Sequence, residues 1–162
     1  RLARKQAERN PDYFDPDKYF GDAFEAFVES LILQLGNHPT IQIKGYQPIV
    51  GTEDLGVDGY GYGPDGSIHT VQAKARGNTE SLLTANRDHI SNFYAHSNAK
   101  FGREYKVKYM TLFTTARDLG PVAREMYDNE MRVIGNNTLR KLVDNNEMFW
   151  VEFRDQLQLK HK

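Results

Sequence analysis

Residues 107–115 read Val-Lys-Tyr-Met-Thr-Leu-Phe-Thr-Thr, and Tyr109, Met110, Leu112 and Phe113 put apolar side chains on both sides of an extended chain. Side chains alternate along a strand, so a segment that is apolar at both parities is covered on both faces and belongs in the middle of a sheet. The neighbouring segments supply the other layers. After Gly21, Phe24, Phe27, Val28, Leu31 and Leu35 recur at helical spacing, Asp22 stands where a cap would, and Gly36-Asn37 and Pro39 close the element. Residues 41–50 alternate as a first strand, and Val57 to Tyr62 form a second that leads into the turn Pro64-Asp65-Gly66. The return strand, Ile68 to Ala75, places Val71, Ala73 and Ala75 on one face and Thr70, Gln72, Lys74 and Arg76 on the other.

Further along, Ile90, Phe93 and Tyr94 predict a surface helix over 84–97, and Pro121 opens another with Val122, Ala123, Met126 and Tyr127. Arg132-Val133-Ile134 reads as a short strand, Asn137 as the cap of a last helix through Val143, and Phe149 to Phe153 as an alternating edge strand. The expected architecture is α/β: a central mixed sheet of four or five strands flanked by helices, occupying 21–162. Residues 1–20 read as a basic appendage or linker, interrupted by the turn chemistry of Asn10-Pro11-Asp12 and Asp15-Pro16-Asp17.

A chain of 162 residues with 39% hydrophobic content is the right size for one domain with a real core. Its 21 basic and 22 acidic residues nearly cancel, so no overall positive field draws it to nucleic acid and any basic footprint has to be local. Without cysteine it has no disulfides, thiolate metal sites or cysteine nucleophiles, which suits a reducing interior, and the cytoplasm is the expected location. No apolar run approaches the roughly 18 residues of a membrane span. Arg1-Leu2-Ala3-Arg4-Lys5 lacks a signal peptide's apolar segment, and a first residue other than Met is expected of a piece cut from a longer chain.

Hydrolysis of a phosphodiester needs a divalent cation held by hard oxygen ligands, to polarise the phosphate and acidify a water, and a positive group near the developing charge. Asp58, in Gly56-Val57-Asp58-Gly59 on the outgoing strand, and Gln72-Ala73-Lys74 on the return strand offer those groups side by side. Gln72 and Lys74, two apart, point the same way, which sets an ammonium beside any metal held at Gln72.

This D…QxK arrangement resembles the PD-(D/E)xK nuclease superfamily, with glutamine in place of the second acidic ligand, and looks like the Mrr-type restriction endonucleases in particular. Phe24-Glu25 opening a helix that ends at Leu35-Gly36 is similar to the family's first helix, Gly56-Val57-Asp58 to its glycine-rich strand, and Val71-Gln72-Ala73-Lys74 to its catalytic strand. Phe113-Thr114-Thr115-Ala116, Ala123-Arg124, and Val133-Ile134 with Leu139 and Leu142 resemble its later elements, so the likeness runs from about residue 21 to 143. It departs at Ala73, where the family usually has cysteine or a similar residue; only the backbone carbonyl there is expected to touch metal.

The resemblance implies a restriction-endonuclease-like core and endonucleolytic cleavage of double-stranded DNA to 5′-phosphate and 3′-hydroxyl ends. It implies Mg²⁺, with Mn²⁺ as a substitute, held by Asp58, the side-chain oxygen of Gln72 and the carbonyl of Ala73, with Glu25 directly or through water. Lys74 would orient or deprotonate the attacking water. Glu25 and Glu29 lie one helical turn apart, and periodicity does not choose between them; the resemblance favours Glu25. Such domains often sit beside a helicase-like motor or DNA-reading module in restriction and phage-defence systems, and cutting both strands with one site per chain predicts a dimer on DNA.

Plainer readings compete at several positions. Asp54 is read as shaping the turn before Asp58. The glycines of 59–63 lead into a turn and a strand, and so fail as a dinucleotide fingerprint. His69, His89 and His96 read as ordinary surface or core histidines. Arg76, Arg87, Lys100, Arg103, Lys106 and Lys108 could follow a phosphate backbone or form a solvated face, and Arg76 and Arg87 are the preferred DNA contacts because they follow the catalytic strand. The rival functions are a non-catalytic DNA-binding or assembly module on the same fold, and a junction- or RNA-directed nuclease.

Overall fold

The computed structural model describes residues 14–15, 19, 21–49, 56–76, 80–85, 88–101, 107–127 and 129–160, without the side chains of 100, 101, 107, 108 and 157–160. Among these residues β1 (Lys44–Pro48), β2 (Gly59–Tyr62), β3 (Ile68–Lys74), β5 (Val107–Thr114) and β7 (Arg132–Ile134) form one sheet in the order β1-β2-β3-β5-β7. The β1–β2 and β2–β3 pairs are antiparallel; β3–β5 and β5–β7 are parallel. The sheet is therefore mixed, five-stranded and flanked by helices, as the sequence predicts. β4 (Leu82–Leu83) and β6 (Asp118–Leu119) pair separately in a short parallel ladder. The helices are α1 (Gly21–Leu35), α2 (Ile90–Phe101), α3 (Pro121–Tyr127), α4 (Asn136–Val143) and α5 (Glu147–Lys160).

The hairpin turn forms as its residues require. The Ser67 amide donates to Asp65 Oδ1 (3.0 Å), the Gly66 amide to the Gly63 carbonyl (3.0 Å), and Gly66 takes φ 80°, the left-handed region that glycine enters without cost. Two apolar clusters cover the sheet. On one face Val71, Ala73, Phe113 and Ile134 pack with Phe24, Phe27 and Leu31 of α1, Leu139 of α4, and Phe149, Trp150 and Phe153 of α5. On the other Met110 and Leu112 pack with Ile90 and Phe93 of α2 and Ala123 and Tyr127 of α3. Adjacent β5 residues thus serve opposite clusters, which is why that segment is apolar at both parities.

Three of the differences from the sequence reading have a visible physical cause. The segment read as an edge strand at Phe149–Phe153 is helical: Phe149, Trp150 and Phe153 are buried while Val151 is 42% exposed, a period of three to four rather than two. Asn146 Oδ1 caps the Phe149 amide (3.1 Å), and Trp150 Nε1 donates to the Val143 carbonyl (3.0 Å). The helix expected from Thr84 starts at Ile90, because Asp88 folds back to accept the Thr84 amide (2.6 Å) and His89 takes φ 58°. α4 starts at Asn136 with Gly135 as its cap, so Asn137 lies inside the helix; a Cβ at Gly135 would stand 2.4 Å from the Arg117 carbonyl oxygen.

A polar group ties β3, β5 and β7 together. Arg132 Nε donates to Thr111 Oγ1 (3.0 Å), Thr111 Oγ1 is also bonded to His69 Nε2, and Arg132 reaches the carbonyls of Thr40 (2.7 Å) and Ile41 (2.5 Å). Burial, with the Arg132 charge adding to it, pushes the His69 pKa from 6.5 down to about 3. Folded His69 thus stays neutral through a range in which the unfolded chain takes a proton, so stability falls as pH drops from 6.5 toward about 3. His69→Phe should flatten that decline by up to about 1.4 kcal/mol per pH unit in urea melts. Equal slopes for parent and variant would mean that His69 is not held neutral.

Candidate active site

The β2–β3 hairpin builds the site. The Asp58 amide donates to the Val71 carbonyl (2.8 Å), and Gly59 opposes Val71 in the ladder, which fixes Asp58 beside the middle of β3. Gly59 is required there, since a Cβ would stand 2.3 Å from the Tyr46 hydroxyl oxygen. The Asp58 carboxylate is buried and accepts the Ala73 amide through Oδ2 (2.6 Å). Gln72 Nε2 donates to the Ala73 carbonyl at 3.3 Å, and Gln72 Oε1 is buried without a hydrogen-bond partner. Asp58 and the Gln72-Ala73 amide groups therefore come together as the alternation of the two strands predicts.

Lys74 follows on the same side of β3 as Gln72 and is half-buried. Desolvation lowers its pKa, the charge of Arg76 lowers it further, and Asp58 opposes the shift. The end of β3 is held from β5: Thr114 Oγ1 donates to the Lys74 carbonyl (2.6 Å), and Thr115 Oγ1 both accepts the Arg76 amide (2.6 Å) and donates to the Arg76 carbonyl (2.9 Å). Asn136 Nδ2 in turn holds the Thr115 carbonyl (3.1 Å). The Thr114-Thr115 pair thus fixes the backbone on which Lys74 rides.

Arg76 pairs its guanidinium with Asp88, a carboxylate that is only 3% exposed and also accepts the Thr84 amide. Sequence reasoning missed this pairing because Asp88 sits in an aperiodic stretch twelve positions on, with no spacing to link it to β3. Glu25 is exposed on α1, beside buried Phe24, whereas Glu29 is half-buried. α1 covers the face of β3 that carries Val71 and Ala73, and Gln72 and Lys74 leave from the other. Among the described residues no three acidic or histidine side chains gather as a metal-holding cluster. Arg87, Asp54, Arg103, Lys106 and the basic segment 1–9 lie outside the described residues.

The donor set can be tested against a divalent cation. Mg²⁺ takes few protein ligands, all oxygen, and keeps several waters. One buried carboxylate, a buried amide oxygen that lacks a partner and a neighbouring carbonyl fit that demand, and a partnerless buried acceptor is what a missing cation would leave. Past the same carboxyl ends of β3, β5 and β7, Arg117, Arg124, Asn137 and Thr138 line a polar cleft of about 300 Å³. Arg124 pairs there with Asp118, and Arg117 approaches Glu80 at 3.7 Å. No helix among the described residues is long and apolar enough to cross a membrane.

No protein-family model and no curated protein matches the chain. Solved structures similar to it include the ATP-dependent Type ISP restriction-modification enzyme LlaBIII bound to DNA, at 20% identity and TM-score 0.48, covering 74% of this chain and 8% of that one. A repair endonuclease from Pyrococcus abyssi is 14% identical with TM-score 0.39, over 73% of this chain and 49% of that one. The structure of an EndoMS–dsDNA2 complex is 21% identical with TM-score 0.39, over 73% and 48%. The chain thus spans under a tenth of the first and about half of the other two, and likenesses this distant assign no residue, substrate or partner.

Proposed function

We propose that the chain is a metal-dependent nuclease module that hydrolyses DNA phosphodiesters at Asp58, Gln72, Ala73 and Lys74. The observation that carries this reading is the buried, partnerless Gln72 Oε1 beside the Ala73 carbonyl and the Asp58 carboxylate, with a lysine of lowered pKa two residues on. Mg²⁺ or Mn²⁺ held by these oxygens would polarise the scissile phosphate and acidify a water. Asp58 supplies the negative charge, and Gln72 and Ala73 supply neutral oxygens. Lys74 stands where an ammonium meets charge developing on a phosphate, and its depressed pKa makes the neutral amine more accessible as a proton acceptor. Glu25 would contribute directly or through water.

Arg117 and Arg124, beyond the ends of β5 and β6, supply charge along the same edge, where contacts to a phosphate backbone give affinity without sequence information. Site choice is assigned to another part of a longer chain or to a partner, and cutting of both strands to a second copy on DNA.

Incubation with supercoiled plasmid tests the reading. The purified chain is expected to nick or linearise plasmid in Mg²⁺ or Mn²⁺ and to stop when EDTA removes the metal. Cleavage that persists in EDTA would remove the metal from the proposal, and DNA binding without cleavage in any metal would favour the non-catalytic module. Preference for RNA or four-way junctions over linear duplex would change the substrate.

A further inference from the structure

A cavity of about 480 Å³ opens at the amino-terminal ends of β3 and β5, the opposite end of the sheet from Lys74. His69 and Tyr109 line it as a stacked pair with ring centroids 5.4 Å apart; Arg132 of β7 and Ile41 of the turn after α1 stand beside them. Met110 and Met131, both buried, give it an apolar side.

Two groups in this wall are incompletely partnered, one a half-buried cation and the other a buried ring nitrogen. The guanidinium of Arg132 donates to three neutral acceptors, the Thr111 hydroxyl and the carbonyls of Thr40 and Ile41, and two of its five N–H groups remain. Desolvation lowers its pKa with no carboxylate opposing the shift, so among the described residues this charge has no counter-ion. The acidic residue on the rim, Glu130, is exposed and accepts the Tyr94 hydroxyl instead.

The second group is His69. Arg132 can only donate, so the Thr111 hydroxyl that accepts from it has its own proton to give, and its other partner is His69 Nε2. A neutral His69 therefore accepts at Nε2 and carries its proton on Nδ1, which is buried without a partner. A donor without an acceptor and a cation without an anion, side by side on one cavity wall, have a common complement.

We infer that this cavity binds a small organic oxyanion, a carboxylate or phosphate monoester, whose charged end meets Arg132 and His69 Nδ1–H and whose apolar body rests on Met110 and Met131. The site is separate from the Asp58–Lys74 centre and does not depend on the nuclease reading. Its charge comes from one strand and its neutral donor from another, so both strands have to be in register for it to exist.

Titration of the ¹⁵N-labelled protein with phenyl phosphate, benzoate and inorganic phosphate, followed by NMR, tests it. The expected result is a saturable shift of the His69 Nδ1–H resonance and of the Tyr109–Arg132 backbone amides with one of the first two probes. Tighter binding of phenyl phosphate assigns a phosphoryl ligand, and tighter binding of benzoate a carboxylate. His69→Phe keeps a ring against Tyr109 and removes the Nδ1 donor together with the Nε2 acceptor of the Thr111 hydroxyl; it should weaken binding about tenfold, read from the same backbone amides. Arg132→Gln should weaken it at least as much. No saturable shift at His69 with any probe up to about 10 mM would overturn the inference, as would affinities unchanged in both variants, which would place the probe elsewhere, Lys74 included.

Discussion

Lys74→Ala is expected to lower metal-dependent plasmid cleavage by about a hundred- to a thousandfold while leaving the melting temperature nearly unchanged. Lys74 is half-buried and its backbone is held by Thr114 and Thr115, so truncating the side chain removes the charge proposed to meet the phosphate without loosening β3. Asp58 calls for a pair of variants, because its carboxylate also accepts the buried Ala73 amide. Asp58→Ala would leave that amide without an acceptor, at a cost of about 1–3 kcal/mol, and its loss of activity would mix folding with chemistry. Asp58→Asn can still accept the amide but carries no charge, so it should stay folded and lose cleavage as fully as Lys74→Ala. An Asp58→Asn protein that cuts plasmid like the parent would show that the carboxylate is structural and would return the chain to the non-catalytic reading.

Phe27→Ala should cost about 3–5 kcal/mol in urea unfolding, the range for deleting a large buried side chain in a packed core. Phe27 is fully buried on α1, and its ring meets Phe14, Tyr19, Phe24, Phe149, Trp150 and Phe153 at centroid distances of 4.9 to 6.1 Å. Three of those partners lie on α5, which is also joined to α1 by the Gln34 side chain donating to the Phe149 carbonyl (3.2 Å). The cavity left by truncation would be walled by rings that cannot all shift inward. A loss below about 1 kcal/mol would mean that α5 does not dock on α1 in solution.

The same six rings show where local pattern misleads. Phe149-Trp150-Val151-Glu152-Phe153 has apolar residues at alternate positions, as a strand would, and also at the spacing of a helix. The ambiguity is resolved by α1, whose aromatic face can cover Phe149, Trp150 and Phe153 together but leaves Val151 in solvent. Arg76 is a parallel case. Its place two residues after Lys74 marks it as a DNA contact, yet its guanidinium is paired with Asp88, brought there by the turn that precedes α2.

What the sequence by itself determined are the features that depend on a few consecutive residues. The Pro64-Asp65-Gly66 turn and two-residue alternation set the hairpin, put Gln72 and Lys74 on one side of β3, and laid Asp58 next to them; the double-sided apolar run at 107–115 placed β5 inside the sheet. Only the tertiary structure decided which polar groups found partners. Asp88 reached Arg76, Thr114 and Thr115 reached the end of β3, and Gln72 Oε1 and His69 Nδ1 were buried with none. Spacing specifies the direction of a side chain, but burial and hydrogen bonding depend on what residues remote in sequence bring against it, and those pairings exist only once the layers have packed.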